Sequence, residues 1–212
     1  MKAKEFVAEA EEALRVQAVD STFKMWGYES NITDETQKIN EASQTKFKLM
    51  TKKFGKEAQK FDINQIEDRD VVRKLKLMKN IGTAALPENK LKEFISLTAE
   101  MGKTYSTAKV LDFETKEKKY SLEPELSEIL AKSRNPEELK YYWEQWREAS
   151  GKQIRSKYQE YVGIYNEAAE LNGFKDASIM KVDPYESETF QEEMEETWQG
   201  LKPLYEQLAC LS

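Results

Sequence analysis

The chain has 212 residues and 24.7 kDa of mass, with 33 basic and 39 acidic side chains for a net charge of −6. It holds no histidine and one cysteine, Cys210, which excludes histidine-ligated zinc, Ser-His-Asp and Cys-His nucleophiles and any internal disulfide. Charges of both signs are mixed along the chain, giving no basic footprint for nucleic acid, and no apolar run approaches the ~20 residues that would span a bilayer, so no membrane insertion is expected. Four Trp, ten Tyr and nine Phe supply enough apolar surface to offset chain entropy, so the sequence should fold rather than stay disordered.

Helix formers dominate, and Gly and Pro are few, at eight and five. A first helix is expected from about Lys2 to Tyr28, with Phe6, Ala10, Gln17, Ser21 and Tyr28 at helical spacing. Thr33 is a suitable N-cap for a second helix to about Lys60, whose apolar members are Ile39, Ala42, Phe47, Met50 and Phe54. A third helix should run from Arg69 to Ala85, stop before Pro87, and be followed by a fourth from Glu88 to about Lys109. Val110 to Leu122 resists a helical reading and is expected to be a loop or a minimal hairpin. Asn135-Pro136-Glu137-Glu138 is the strongest start signal. It predicts a spine of about 36 residues reaching Leu171, roughly 54 Å long, with one face formed by Trp143, Trp146, Tyr158, Tyr161 and Tyr165. A last helix should open at a Thr189–Glu192 capping box, run through Met194, Trp198, Leu201, Leu204 and Leu208, and bend at Pro203. These readings give an all-α fold: one multi-helix domain over residues 1–212, with a long central helix and one short loop or minimal hairpin around 110–122.

Residues suited to chemistry are scarce. Glu192, Glu193, Glu195 and Glu196 crowd the start of the last helix, where carboxylates favour the positive helix end and read as a solvated first turn. No glycine pair has phosphate-loop spacing, so neither cofactor nor metal is expected. Lys52-Lys53 and Lys116 to Lys119 read as solvated surface. Asn31-Ile32-Thr33 fits the N-glycosylation pattern in a connector, making Asn31 a possible acceptor. Cys210 either offers a thiol for an intermolecular bridge or closes the last apolar turn beside Leu208 and Leu211.

Several runs together resemble the amino-terminal portion of the angiotensin-converting-enzyme family, with the likeness strongest to single-domain arthropod members. They are Trp26-Gly27-Tyr28-Glu29-Ser30-Asn31-Ile32-Thr33, Ala84-Ala85-Leu86-Pro87, Tyr105-Ser106-Thr107-Ala108-Lys109-Val110 and Ser133-Arg134-Asn135-Pro136-Glu137-Glu138-Leu139, with Lys202-Pro203-Leu204-Tyr205 near the end. The resemblance implies an all-helical zinc peptidase fold whose His-Glu-x-x-His helix lies beyond the region matched, so the chain is expected to be truncated before its chemistry. It also implies a secreted or extracellular protein, a cytoplasmic one being the alternative, and strengthens Asn31 as a glycan acceptor. The family's disulfide around the loop after its Lys-Val pair has no counterpart: Leu111 stands at one place, and Lys119 or Tyr120 at the other.

The expected function is therefore a non-enzymatic binding module for a protein, a peptide or a small apolar ligand. Self-association, a structural role, or a fragment of a larger peptidase are the alternatives. Trp26 and Tyr28, at the end of the first helix, are the expected interface anchors, whereas Trp143 and Trp146 are expected inside.

Overall fold

A computed structural model describes residues 2–210. Several helices start where the sequence supplies an acceptor for the first free amides. The Thr33 hydroxyl accepts from the Thr36 amide at 3.1 Å and opens α2 (Asp34–Ala58), which doubles back from α1 (Ala3–Ser30). Asp68 accepts from Asp70 and Val71 and opens α3 (Arg69–Lys79). This third helix is shorter than expected, because the chain turns at Asn80 and continues as a 3₁₀ turn, Gly82–Ala85, before Pro87 leads into α4 (Glu88–Thr107).

The 110–122 segment is the minimal hairpin: β1 (Val110–Leu111) pairs antiparallel with β2 (Lys119–Tyr120), Val110 opposite Tyr120 and Leu111 opposite Lys119. A short helix that sequence periodicity did not indicate, α5 (Ser127–Lys132), then leads to the Asn135 cap. Asn135 Oδ1 accepts from Glu137 at 3.1 Å and starts α6 (Pro136–Ala149). The predicted spine is one long bent helix, not a straight rod. At Ser150 (φ −114°, ψ −84°) the backbone leaves helical geometry, the serine hydroxyl donates to the Trp146 carbonyl at 2.6 Å, and α7 (Gly151–Leu171) continues in a new direction. Gly173, at φ +85°, closes α7 as a left-handed C-terminal residue. A second short helix, α8 (Ala177–Val182), capped by Asp176, precedes α9 (Phe190–Ala209). Thr189 does not cap α9 as expected. Its hydroxyl donates to Glu193 Oε1 at 2.7 Å instead of accepting an amide.

The core forms as patches along the helix seams. Phe6, Val7 and Ala10 of α1 meet Phe54 and Ala58 of α2 and Val71 and Leu75 of α3. Gly55 permits the close approach of α2 to the turn after α3, since a Cβ there would lie 2.1 Å from Ile81 Cγ2 and 2.9 Å from the Met78 carbonyl. Leu86, Leu91 and Leu97 pack against Ile164 and Ala168 across the α4–α7 seam, and Val110, Leu126 and Tyr142 form a third patch under the hairpin. Lys52, read from sequence as solvated surface, is half-buried. Its ammonium donates to the carbonyls of Ala85 (3.1 Å) and Leu86 (2.7 Å), closing the 3₁₀ turn whose acceptors α4 does not use.

Two helix faces differ from expectation by one residue. In α2, Ile39 is exposed and Asn40 and Ser43 are buried. In α6, Trp143 is 53% exposed, with the Arg147 guanidinium over its ring at 3.6 Å, while its neighbour Tyr142 is buried. The Tyr142 hydroxyl accepts from the Phe113 amide at 2.9 Å, and this tie to the hairpin selects Tyr142 as the inward residue. Trp146 is half-buried, edge-on to Tyr105 at 5.4 Å.

Candidate functional site

Among the described residues no group of three or more His, Cys, Asp or Glu side chains is placed to hold a metal ion. With no histidine in the chain, the donor set of a peptidase zinc is missing, and the residues present do not fit that metal. The acidic run of α9 is a solvated first turn: Glu192, Glu193, Glu195 and Glu196 are all exposed, and Glu193 accepts from Thr189 and from Ser187. These bonds hold its carboxyl below the usual carboxylate range. A second carboxylate pair, Glu93 of α4 with Glu160 of α7, was not noticed in the sequence. Their shared hydrogen bond pushes the Glu160 carboxyl up, and both residues are exposed.

Binding surfaces are better developed than chemistry. Trp26 is 69% exposed, and with Val19 and Phe23 it lines a shallow groove along the outer face of α1. Tyr28 does not share that surface. It is only 7% exposed, because α4 packs over it and its hydroxyl donates to the Ala99 carbonyl at 3.0 Å; burial pushes the phenol up. Tyr28 is thus a post between α1 and α4, not a free anchor. Asn31 lies exposed in the α1–α2 connector. Cys210 is a free, exposed thiol just after α9, and Leu211, its expected neighbour, lies outside the described residues.

The most continuous apolar surface is on α9. Met194, Trp198, Leu201, Tyr205 and Leu208 follow one another at steps of four, three, four and three, the spacing of a coiled-coil seam. All five are exposed, and no residue of α9 is buried. Pro203 falls on the opposite side, so the seam is not interrupted.

A deeper cavity of about 600 Å³ opens between α1, α2 and α4. Its apolar wall is Phe94, Ile95 and Ala99 of α4, with Met25 and Tyr28 of α1, and its polar edge is Asn40, Gln44 and Lys48 of α2. The polar edge was missed in the sequence. Its signal was nonetheless present, since stepping back from Phe54 through Met50 and Phe47 reaches Ser43 and Asn40, polar residues on a core stripe.

The structure defines an all-α chain with exposed apolar surfaces and, among the described residues, no cluster suited to a metal, and comparison with known proteins gives its lineage. The family model for the peptidase family of angiotensin-converting enzyme matches residues 1–211, and the chain belongs to that family. It is 37% identical over 185 residues to the angiotensin-converting enzyme of Haematobia irritans exigua, covering 86% of this chain and 30% of that protein. The same enzyme of Theromyzon tessulatum is also 37% identical, over 192 residues, covering 89% of this chain and 31% of its own. The angiotensin-converting enzyme-like protein Ace3 of Mus musculus is 35% identical over 213 residues, covering 95% and 28%. A fly and a leech protein match equally well, so the expected preference for arthropod members is not supported. The chain spans about 30% of the length of these relatives.

Proposed function

We propose that this chain is a non-enzymatic, peptidase-derived binding module whose main recognition element is α9. The observation that carries this reading is the unbroken Met194–Leu208 seam, presented on a helix that buries none of it. The occupant it suits is a second amphipathic helix, and α9 of another copy meets the requirement. In an antiparallel pairing with Trp198 opposite Leu201, the flanking Glu195 of each copy comes beside Lys202 of the other, giving two reciprocal charge pairs around a two-fold axis. Parallel pairing offers no such match. It would bring the two Cys210 thiols together, whereas the antiparallel arrangement sets them at opposite ends. The relatives favour a second reading, because they are about three times as long as this chain. In a longer chain the same seam would be covered intramolecularly, and this region would be the helical amino-terminal part of a peptidase. Trp26 would add a peripheral anchor in either case.

Sedimentation across a concentration series separates the readings. Concentration-dependent dimers, lost in Leu201→Asp, weakened in Lys202→Glu and restored when Lys202→Glu is combined with Glu195→Lys, are expected. A strictly monomeric chain would remove self-association. Peptide cleavage by the pure protein with added zinc would overturn the non-enzymatic reading. The family relationship also supports an extracellular location with a glycan on Asn31, read as a mobility shift on glycosidase treatment of protein secreted from eukaryotic cells.

A further inference from the structure

The α1–α2–α4 cavity has features that packing alone does not explain. Asn40 is 8% exposed, lines the cavity, and its side-chain Oδ1 has no hydrogen-bond partner. An unpartnered buried amide oxygen is costly, and an apolar residue would fill an ordinary core position at less cost. Two turns further along α2, Lys48 lines the same cavity with no acidic partner, and burial pushes its ammonium down. Gln44 lies midway between them. Steps of four place the three in a line about 12 Å long at 1.5 Å per residue. Facing them is the apolar wall of α4. The one carboxylate among the lining residues, Glu29, comes from the connector end of the helical hairpin, roughly 20 Å along the α2 direction from Lys48. The cavity is thus cationic at one end and apolar along one side, while Asn40 Oδ1, like the Ser21 and Ser43 hydroxyls, is closed off from solvent and does not open to the cavity. About 600 Å³ lies within the range of small-molecule sites.

We infer that this cavity binds an elongated apolar carboxylate. The carboxylate takes the Lys48 ammonium and the apolar body lies along Phe94, Ile95 and Ala99. The binding needs nothing from α9, so it stands or falls separately from the association proposed above.

Two probes of one length test it by calorimetry and amide chemical-shift mapping: decanoate and decanol. The wild-type chain should bind decanoate several-fold more tightly than decanol. Lys48→Gln should erase the advantage of decanoate over decanol, a loss of roughly tenfold for a charge-assisted contact. Asn40→Leu should leave the probe order unchanged, because the Asn40 amide oxygen does not open to the cavity. Gly102 lines the cavity, and a Cβ there would meet nothing within 4 Å, so Gly102→Leu places its side chain in the free space and should weaken both probes. Leu201→Asp, on α9, should change neither. Absence of decanoate binding at millimolar concentration, shifts confined to α1's outer face and α9, or the same probe order in Lys48→Gln would each overturn the inference. Circular dichroism of each variant guards against misfolding, and a probe order altered in folded Lys48→Gln is the supporting result.

Discussion

The α4–α7 seam and α9 are built from similar residues and behave oppositely. Leu91 and Ala168 are fully buried across the seam, with Leu97 and Ile164 beside them, and the ion pairs Lys90–Glu167 and Lys157–Glu100 flank the contact from both helices. On α9 an apolar seam stays in solvent, and local bonds run along the helix: Thr197 donates to the Glu193 carbonyl and Gln199 to Glu195. Periodicity therefore specifies that a helix forms and which side is apolar. Whether that side is buried depends on a partner surface that the helix's own sequence does not describe.

Paired truncations make this contrast quantitative. Leu91→Ala removes a fully buried side chain and should cost ~3 kcal/mol, within the range for leucine truncation in a closed core. The same change at Leu201 should leave the monomer's unfolding midpoint nearly unmoved and act on association alone. Denaturant unfolding at low protein concentration, beside sedimentation, reads both effects. Equal destabilisation by the two changes would mean that α9 is closed onto the body in solution.

The hairpin lies between these extremes, and the resemblance to the family explains why. The resemblance puts the family's cysteine places at Leu111 and at Lys119 or Tyr120, and the structure sets Leu111 directly opposite Lys119. Asp112 N donates to the Lys118 carbonyl at 2.9 Å, so Leu111 and Lys119 form the closer, non-hydrogen-bonded type of pair, with Cα atoms expected ~4.5 Å apart. The hairpin is held by the Tyr142 hydroxyl accepting from the Phe113 amide, the Tyr141 hydroxyl donating to the Leu111 carbonyl, and the Lys116 ammonium over the Tyr141 ring at 3.5 Å. Leu111→Cys with Lys119→Cys should oxidise readily and raise stability by ~2 kcal/mol, lost again on reduction. A pair that stays reduced in air would show that the strands do not hold this register.

Much of the fold was legible because caps and breakers are local. Thr33, Asn135, Pro87 and Gly173 each mark a boundary through a bond or a torsion within a few residues of themselves. The inner face of a helix was less legible wherever a polar residue sits inside. Asn40 and Ser43 displaced Ile39 and Ala42 from the predicted stripe, and Tyr142 displaced Trp143, because the inward residue was chosen by a distant partner: α4 over the α1–α2 pair, and the hairpin under α6. The Ser150 bend was invisible for the same reason, since a serine at helical spacing gives no sign that its hydroxyl will turn back onto the Trp146 carbonyl. The candidate cavity inherits this. Its apolar wall followed helical periodicity, but its polar edge depended on which face of α2 turned inward.

The smallest effect tests a flaw in the seam itself. Glu93 and Glu160 meet across α4 and α7 as like charges, and Glu160 is held above the usual carboxylate range by the hydrogen bond the two share when one is protonated. A carboxyl whose pKa is raised by folding stabilises the native state while it is protonated. That contribution is complete below its unfolded pKa, near 4.3, and is lost as the pH rises through the raised value. Where Glu160 is ionised, the two carboxylates oppose one another across the seam. Glu160→Gln keeps a hydrogen-bonding partner for Glu93 and removes the repulsion, so it should raise the melting temperature slightly at pH 7. As the pH falls and Glu160 is protonated the repulsion is relieved, and the two proteins should come to melt together. Salt should narrow the difference at pH 7, because the pair is solvent-exposed. The equivalent change on α9, Glu195→Gln, meets no opposing helix in the monomer and should show no such pH dependence. If Glu160→Gln behaves like Glu195→Gln at every pH, α4 and α7 do not hold these carboxylates within contact, and the seam is looser at its solvent edge than its leucines require.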